Sequence, residues 1–140
     1  MDSQTYSNHR RLHPIYHFFL TLVLLATLTG IVVLVIREGL SLSAVLFLLI
    51  FVIIAVSFFL VRAYPLKAQD RAIRAEENLR HYVLTGQLLD SRLTISQITA
   101  LRFASDAEFP ELCRKAAAQN LSPNAIKKSI NTWRADNYRI

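Results

Sequence analysis

The sequence predicts an all-α protein, in which a two-helix transmembrane hairpin is followed by a helical cytoplasmic C-terminal module. Two observations predict the hairpin: no Asp, Glu, Lys or Arg occurs from Leu12 to Ile36, and none occurs from Gly39 to Val61. Each run is long enough to span, because about 20 helical residues cross hydrocarbon about 30 Å thick. A third observation, a series of helix start signals after Pro65, predicts the module.

The first two elements are the membrane spans, predicted at about 15–36 and 40–61. In lipid every backbone polar group must bond internally, so each span should be a helix. Three residues are available to turn the chain between them: Arg37, Glu38 and Gly39. Such a short connection makes the two helices antiparallel. Ala26 and Gly30 form a small-xxx-small step, which we interpret as packing within the hairpin.

The distribution of Lys and Arg predicts the orientation of the hairpin. The turn contains Arg37 alone, whereas six basic residues lie beside the other ends of the spans: Arg10, Arg11, Arg62, Lys67, Arg71 and Arg74. Because Lys and Arg are enriched in cytoplasmic flanks, both termini of this two-pass protein should be cytoplasmic. Four side chains are predicted to anchor the hairpin at the membrane interface: Tyr16, Tyr64, Arg62 and Lys67. A cleaved signal peptide is the alternative for the first run, which is longer than a usual h-region.

These assignments predict a cytoplasmic N-terminal arm at 1–14, a hairpin at 15–64 and a helical cytoplasmic domain at 65–140. Only the helical cytoplasmic domain is large enough to carry the protein's function. Cys113 is the single cysteine, which excludes an intramolecular disulfide and suits a reducing cytoplasm. The net charge of +6 favours the anionic inner leaflet as a partner over nucleic acid.

The C-terminal module begins with a predicted amphipathic helix after Pro65. Its apolar residues share one face: Ala68, Ala72, Ala75, Leu79, Tyr82 and Val83. Two pairs have the i,i+4 spacing of ion pairs on a solvated face: Asp70 with Arg74, and Glu76 with Arg80. His81 beside Glu77 is interpreted as a further surface pair. Gly86 is predicted to end this helix.

Three short helices should follow, each with its own start signal. Capping pairs and a first-turn proline mark their beginnings: Thr94 with Gln97, Ser105 with Glu108, and Ser122 before Pro123. The middle helix has five residues on one apolar face: Phe109, Leu112, Cys113, Ala116 and Ala117. This spacing predicts that Cys113 lies in the core.

The last helix carries the predicted contact surface. Its apolar face is predicted to run through Ile126, Ile130 and Trp133. The opposite face would present four residues to a partner or an anionic surface: Lys127, Lys128, Asn131 and Arg134. An alternative interpretation is a helix-turn-helix formed around Ala116, Asn120, Leu121 and Ile126, which would offer Asn124, Lys127 and Lys128 to a DNA groove.

The sequence contains no pattern typical of catalysis. A Gly-rich phosphate loop, an H-E-x-x-H motif and a nucleophile elbow are all missing from the sequence. His9, His13 and His17 are spaced by four, but Pro14 disfavours a helix at His13 and so separates them. We therefore expect no enzymatic activity, no catalytic or cofactor-binding residue, no cofactor and no metal site.

Four stretches also carry a resemblance: "QTYSNHRRLHPIYHF", "LKAQDRAIRAEENLR", "LRFASDAEFPELCRKA" and "IKKSINTWRADNYRI". Over nearly its whole length the chain resembles a family of small uncharacterised bacterial membrane proteins, a domain of unknown function whose members are sometimes labelled ABC transporter permease. The resemblance implies a bacterial inner-membrane protein and assigns no activity or substrate. Two spans without a coupling loop are fewer than a permease half needs.

Taken together, these features predict a non-enzymatic interaction or accessory module, which a membrane hairpin holds at the cytoplasmic face. The expected partners are membrane lipid and either another protein or a second copy of the chain, with nucleic acid less favoured. Two alternatives are a membrane-tethered, helix-turn-helix-like nucleic-acid binder and an accessory subunit of a transporter.

Overall fold

The structure is a computed structural model that describes residues 4–7 and 12–136. It confirms the predicted all-α fold class, with two long apolar helices followed by short ones. The helices are α1 (Thr21–Glu38), α2 (Leu42–Thr85), α3 (Ile95–Leu101), α4 (Phe109–Gln119) and α5 (Pro123–Lys128), and a π-helical segment, Ile15–Leu20, precedes α1. The chain forms two compact units, Arg11–Tyr64 on the one hand and Met1–Arg10 with Pro65–Ile140 on the other.

The unit Arg11–Tyr64, the hairpin unit, exposes its apolar side chains. Two helical stretches, Ile15–Glu38 of 24 residues and Leu42–Thr85 of 44 residues, are long and apolar enough to cross a membrane. Among the described residues of this unit only Ile31 and Ala44 are buried. In water so much exposed apolar surface would favour aggregation or binding, whereas in lipid it is the usual arrangement.

The turn of the hairpin unit differs from the predicted one. Arg37 and Glu38 still belong to α1, and residues 39–41 connect α1 to α2. Gly39 has φ 67°, a left-handed conformation that glycine adopts readily, and its N–H donates to the carbonyl of Val35 at 2.9 Å. The helix thus continues to the last residue before the glycine, because no earlier residue interrupts its hydrogen bonds.

The predicted role of the small-xxx-small step is wrong. Ala26 and Gly30 are both exposed, and a Cβ atom placed on Gly30 would meet nothing within 4 Å. The contact that the structure does give lies elsewhere: the Tyr16 ring stacks on Phe58 with centroids 4.4 Å apart, and the Tyr16 hydroxyl donates to the Phe58 carbonyl at 2.7 Å. The beginning of the first apolar helix therefore lies beside the later part of the second.

The segment after Pro65, predicted as a separate helix, is the continuation of α2 as far as Thr85. Pro65 has no N–H to donate to the carbonyl four residues earlier, so the helix passes this position with one hydrogen bond fewer. Gly86, at φ 73°, follows its last residue as predicted.

Within the second unit, α2 packs on the core with a different face from the predicted one. Ile73, Glu77 and His81 are buried, whereas all six predicted apolar residues are exposed: Ala68, Ala72, Ala75, Leu79, Tyr82 and Val83. Glu77 and His81 were expected to form a surface pair, and that expectation is also wrong. Polar side chains can face a core only where they find partners, and these partners are described below.

The second unit, Met1–Arg10 with Pro65–Ile140, has its own apolar core. Its largest fully buried side chains come from α3, α4, α5 and their connections: Phe103, Phe109, Leu93, Ile98, Leu101 and Ile126. Cys113 is buried in the same cluster, which confirms its predicted place in the core.

Two of the three predicted start signals are confirmed. Thr94 and Gln97 form a reciprocal capping box at α3, and the hydroxyl of Ser122 accepts the N–H of Ala125 at α5. The third is wrong, because α4 begins at Phe109 and the Ser105 hydroxyl donates to the Glu108 carboxylate instead of capping a helix. α4 ends at Asn120, which adopts the left-handed conformation at φ 47°.

The last helix is shorter than predicted. α5 ends at Lys128, so Ile130, Trp133 and the residues around them do not continue a helical face. The physical reason is Glu108, whose carboxylate accepts the backbone N–H groups of Asn131 at 3.2 Å and of Thr132 at 2.9 Å. A longer helix would need these two groups for its own hydrogen bonds.

Trp133 is partly buried, as the apolar pattern suggested, although it lies outside a helix. It forms an isolated antiparallel bridge with Ala104, and its ring lies 5.0 Å from the ring of Phe103. The segment after α5 therefore packs on the connection between α3 and α4.

Candidate functional site

The four predicted contact residues do not share one face. Lys127 and Lys128 lie in the last turn of α5, with their Nζ atoms 5.9 Å from the ring centroids of Phe103 and Tyr6 respectively. Asn131 and Arg134 lie in the segment beyond the helix. The common helical face predicted for the four residues is therefore absent, because α5 ends at Lys128, and their role as contact residues stays a prediction.

Asn131 and Arg134 have structural contacts of their own. The Asn131 side-chain amide donates to Glu108 at 3.3 Å, in addition to its backbone N–H. The Arg134 backbone N–H donates to the Phe103 carbonyl at 2.7 Å. These bonds fix the segment after α5 to the loop before α4.

The predicted membrane-interface residues lie at positions of different exposure. Tyr64 is 62% exposed and Lys67 is exposed, whereas Arg62 is half-buried. The Tyr16 hydroxyl donates to the Phe58 carbonyl, whereas an interfacial tyrosine usually keeps its hydroxyl in water. Their role as membrane anchors stays a prediction.

Arg80 is the centre of the polar face with which α2 packs on the core. Its guanidinium donates to Glu77 at 2.9 Å, to the Ala104 carbonyl at 2.7 Å and to Asp106 at 2.7 Å. It also lies over the Phe109 ring, 4.2 Å from the centroid. The predicted pair of Arg80 with Glu76 is therefore wrong, since Arg80 joins α2 to residues 24 and 26 positions later.

A second charged cluster lines a cavity of about 340 Å³ in the second unit. Its lining residues are Ile73, Glu76, Glu77, Arg102, Arg134, Ala135 and Asp136. Arg102 is buried, and its Nε lies 3.1 Å from the Asp136 carboxylate. Burial lowers the pKa of Arg102, while the charges of Asp136 and Glu77 act in the opposite direction. Side chains of both charge signs thus line this cavity.

The N-terminal arm reaches the same segment. The side-chain oxygen of Gln4 accepts the backbone N–H of Asp136 at 2.8 Å, and Lys128 lies over Tyr6. Sequence periodicity could not have found this contact, because it joins residues 132 positions apart. It brings the described residues near both ends of the chain into one compact unit.

The remaining candidate nucleophile and bases have structural partners. Burial raises the pKa of the Cys113 thiol to about 12, which leaves it protonated at neutral pH. His81 has its Nδ1 2.7 Å from the Gln87 carbonyl, and its ring lies edge-on to Phe109 at 6.0 Å. Neither side chain is poised for chemistry by this arrangement.

The histidines near the first span come together in part. The backbone N–H of His13 donates to Nδ1 of His17 at 3.1 Å, although Pro14 lies between them. His9 lies outside the described residues. Within residues 4–7 and 12–136, no group of three or more His, Cys, Asp or Glu side chains is placed to hold a metal ion.

The exposed apolar face of α2 is the most unusual surface of the second unit. We call its six residues the exposed seam: Ala68, Ala72, Ala75, Leu79, Tyr82 and Val83. The side chains at its C-terminal end are large and open to solvent, with Leu79 64%, Tyr82 53% and Val83 75% exposed. The sequence predicted this stripe correctly and its burial wrongly, because α2 packs on the core with the opposite side.

The helices α4 and α5 match the predicted helix-turn-helix only in the turn between them, because α5 packs mainly on α3. Asn120 supplies the left-handed residue for which glycine is commoner, so this departure from the pattern is accommodated. However, α5 has only six residues, fewer than two turns. Lys127 and Lys128 are its only basic residues, and nucleic-acid binding by this pair stays a prediction.

Comparison with known proteins assigns the chain to a family without assigning a role. A family model described as a family of unknown function, DUF6526, matches residues 1–140. Searches among curated proteins and among solved structures give no match.

Proposed function

The chain belongs to the family of unknown function DUF6526, and we propose that it is a membrane-anchored binding module rather than an enzyme. The hairpin unit inserts in the bacterial inner membrane, as the resemblance of the quoted stretches implies. The second unit then acts at the cytoplasmic face by binding another macromolecule.

One observation carries this proposal: the apolar side chains of the hairpin unit are exposed, whereas the second unit has a core of its own. Ile36, Ile53 and Phe59 are 77%, 65% and 65% exposed. In water each of these side chains would forgo about 25 cal/mol of stabilising free energy for every Å² of apolar surface left unburied. Lipid removes that cost, and helices satisfy their backbone groups there.

The contact between Gln4 and Asp136 supports a hairpin with both of its flanks on one side. Gln4 precedes the first span and Asp136 follows the second, yet the two are hydrogen-bonded in one unit. A chain that crosses twice returns to its starting side, which allows this contact. The basic flanks favour the cytoplasm as that side, because Lys and Arg are enriched in cytoplasmic flanks and the turn contains only Arg37.

The placement of the ionisable side chains supports binding rather than catalysis. The buried Glu77 pairs with the partly buried Arg80, and the buried Arg102 pairs with Asp136. The first pair lies where α2 packs on the core, and the second joins the core to the segment after α5. Lys127 and Lys128, in the last turn of α5, are our proposed contacts with acidic groups of a protein or with anionic headgroups.

Reporter fusions to the full chain test the anchoring and its orientation. A cytoplasmic reporter joined at Ile140 should be active, and one joined directly after Glu38 should be inactive. A reporter that works only outside the cytoplasm should give the reverse pattern, so the two fusion sites are matched controls. Activity of the external reporter at Ile140, or recovery of the unfused chain in the soluble fraction, would overturn the proposal.

A further inference from the structure

The exposed seam has the spacing of a coiled-coil interface. Its positions 68, 72, 75, 79 and 82 are separated by four, three, four and three residues. This is the a/d pattern in which two helices pack side chains into each other. In heptad terms Ala72 and Leu79 occupy a positions, and Ala68, Ala75 and Tyr82 occupy d positions.

The seam is free to pair while α2 stays packed on its own core. At about 100° per residue, the centre of the seam lies roughly 140° around the helix from the face of Ile73, Glu77 and Arg80. Those three residues face the core or its polar partners. The part of α2 in the second unit is therefore a two-sided helix, with one side used inside the protomer and the other exposed.

The charges beside the seam are complementary to those of a second, parallel copy. Arg71 occupies a g position and Glu76 occupies the e position five residues later. In a parallel coiled coil a g side chain faces the e side chain five residues later on the other helix, which would pair Arg71 of each copy with Glu76 of the other. Both residues are exposed. Glu76 also lies at the edge of the cavity that contains Arg102, and its charge acts on that guanidinium.

We infer that the exposed seam is a homodimer interface, in which α2 of two copies pairs parallel and in register. The inference rests on the proposed function, since copies anchored in one membrane share an orientation and their α2 helices leave it in the same direction. The three alanines allow close approach of the backbones, and Leu79 and Tyr82 fill the interface farther along. About two heptads are too short to pair stably in dilute solution, but confinement to a membrane raises the effective concentration of the copies.

Disulfide cross-linking of the full chain in its native membrane tests this geometry. Ala75→Cys and Leu79→Cys place thiols at the d and a positions, where equivalent residues of a parallel pair face each other within disulfide reach. Arg74→Cys is the matched control, because position 74 is exposed but lies about 130° around the helix from the centre of the seam, at a c position. Cys113 can stay in place, since it is buried.

We expect mild oxidation to give covalent dimers with the first two variants, and at least about tenfold less with Arg74→Cys or the unsubstituted chain. Charge exchange then tests the pairing itself. In the Leu79→Cys background, Arg71→Glu alone or Glu76→Arg alone places like charges opposite each other in both of the symmetric contacts between positions 71 and 76. Each of these variants should therefore reduce cross-linking roughly tenfold. The double exchange should restore it to within about twofold.

The outcomes separate this inference from the proposed function. Equal cross-linking at positions 74, 75 and 79 would overturn the homodimer, and so would failure of the double exchange to restore cross-linking. Either result would mean that lipid or a different protein covers the seam. If the reporter fusions gave the expected topology at the same time, the membrane-anchored module would stand. If they did not, the proposed function would fail on its own test.

Discussion

The two units of this protein place the same residue types in opposite environments. In the hairpin unit Phe59 is 65% exposed, whereas in the second unit Phe109 is fully buried. The second unit follows the rule for water, in which apolar side chains are removed from solvent. The hairpin unit leaves the same kind of side chain exposed, as we expect of helices that cross a membrane. The difference teaches that burial in the second unit and exposure in the hairpin unit call for two different surroundings, as the proposed function supplies.

The C-terminal part of α2 fits neither pattern, since it buries charge and exposes apolar surface. Glu77 and Arg80 face inward, while Leu79 and Val83 face outward. An inward-facing charge is tolerable only because its partners are within hydrogen-bond distance. This inversion is what distinguishes the exposed seam from the ordinary scattered apolar residues of a protein surface.

The largest expected effect contrasts the two phenylalanines directly. Phe109→Ala should lower the free energy of unfolding of the second unit by about 3 to 5 kcal/mol, because it leaves a cavity in a closed core. Phe59→Ala, the matched control, should leave that value nearly unchanged. The fluorescence of Trp133, the only tryptophan, reports unfolding of the full chain in mild detergent, since its ring packs on Phe103. Equal losses for the two variants would contradict the distinction between the units.

Local signals let the sequence predict where most elements begin or end. The capping box at Thr94, the cap at Ser122 and the stop at Gly86 each depend on residues a few positions apart. The apolar runs of the hairpin and the face of α4 that includes Cys113 are likewise visible in a short window. Those predictions hold because the physics that decides them is local.

The errors arise where distant polar partners decide the outcome. Periodicity placed the apolar stripe of α2 inward, but Arg80 finds Ala104 and Asp106 more than 20 positions away. It also extended α5 past Lys128, whereas the distant carboxylate of Glu108 takes the N–H groups that the helix would need. The predicted contact surface depended on that extension, so its residues divide between α5 and the following segment.

The second prediction concerns the buried charges of α2. Arg80→Leu should cost about 3 kcal/mol, because it leaves Glu77 buried without its partner. The double variant Arg80→Leu with Glu77→Leu should be more stable than Arg80→Leu alone, since replacing both charges removes the uncompensated one. Arg74→Leu, at an exposed position of the same helix, should change stability by less than about 0.5 kcal/mol. Thermal unfolding measures all three, and a double variant less stable than the single one would contradict the ion-pair account.

The smallest expected effect is a pH dependence at the contact that ends α5. Desolvation raises the pKa of Glu108, but hydrogen bonds from Thr132, Asn131 and Ser105 outweigh it and hold the pKa below its usual 4.5. A carboxylate with a depressed folded-state pKa contributes stability above the unfolded pKa, and that contribution is lost as the pH falls through the folded one. Glu108→Gln should therefore be less stable than the unsubstituted chain at pH 7, with a difference that shrinks as the pH is lowered below about 4.5.

Glu111→Gln, at an exposed position on α4, is the control and should show a smaller change. A Glu108→Gln deficit that stays constant from neutral to acid pH would mean that the shape of this side chain, and not its charge, holds the C-terminal segment in place.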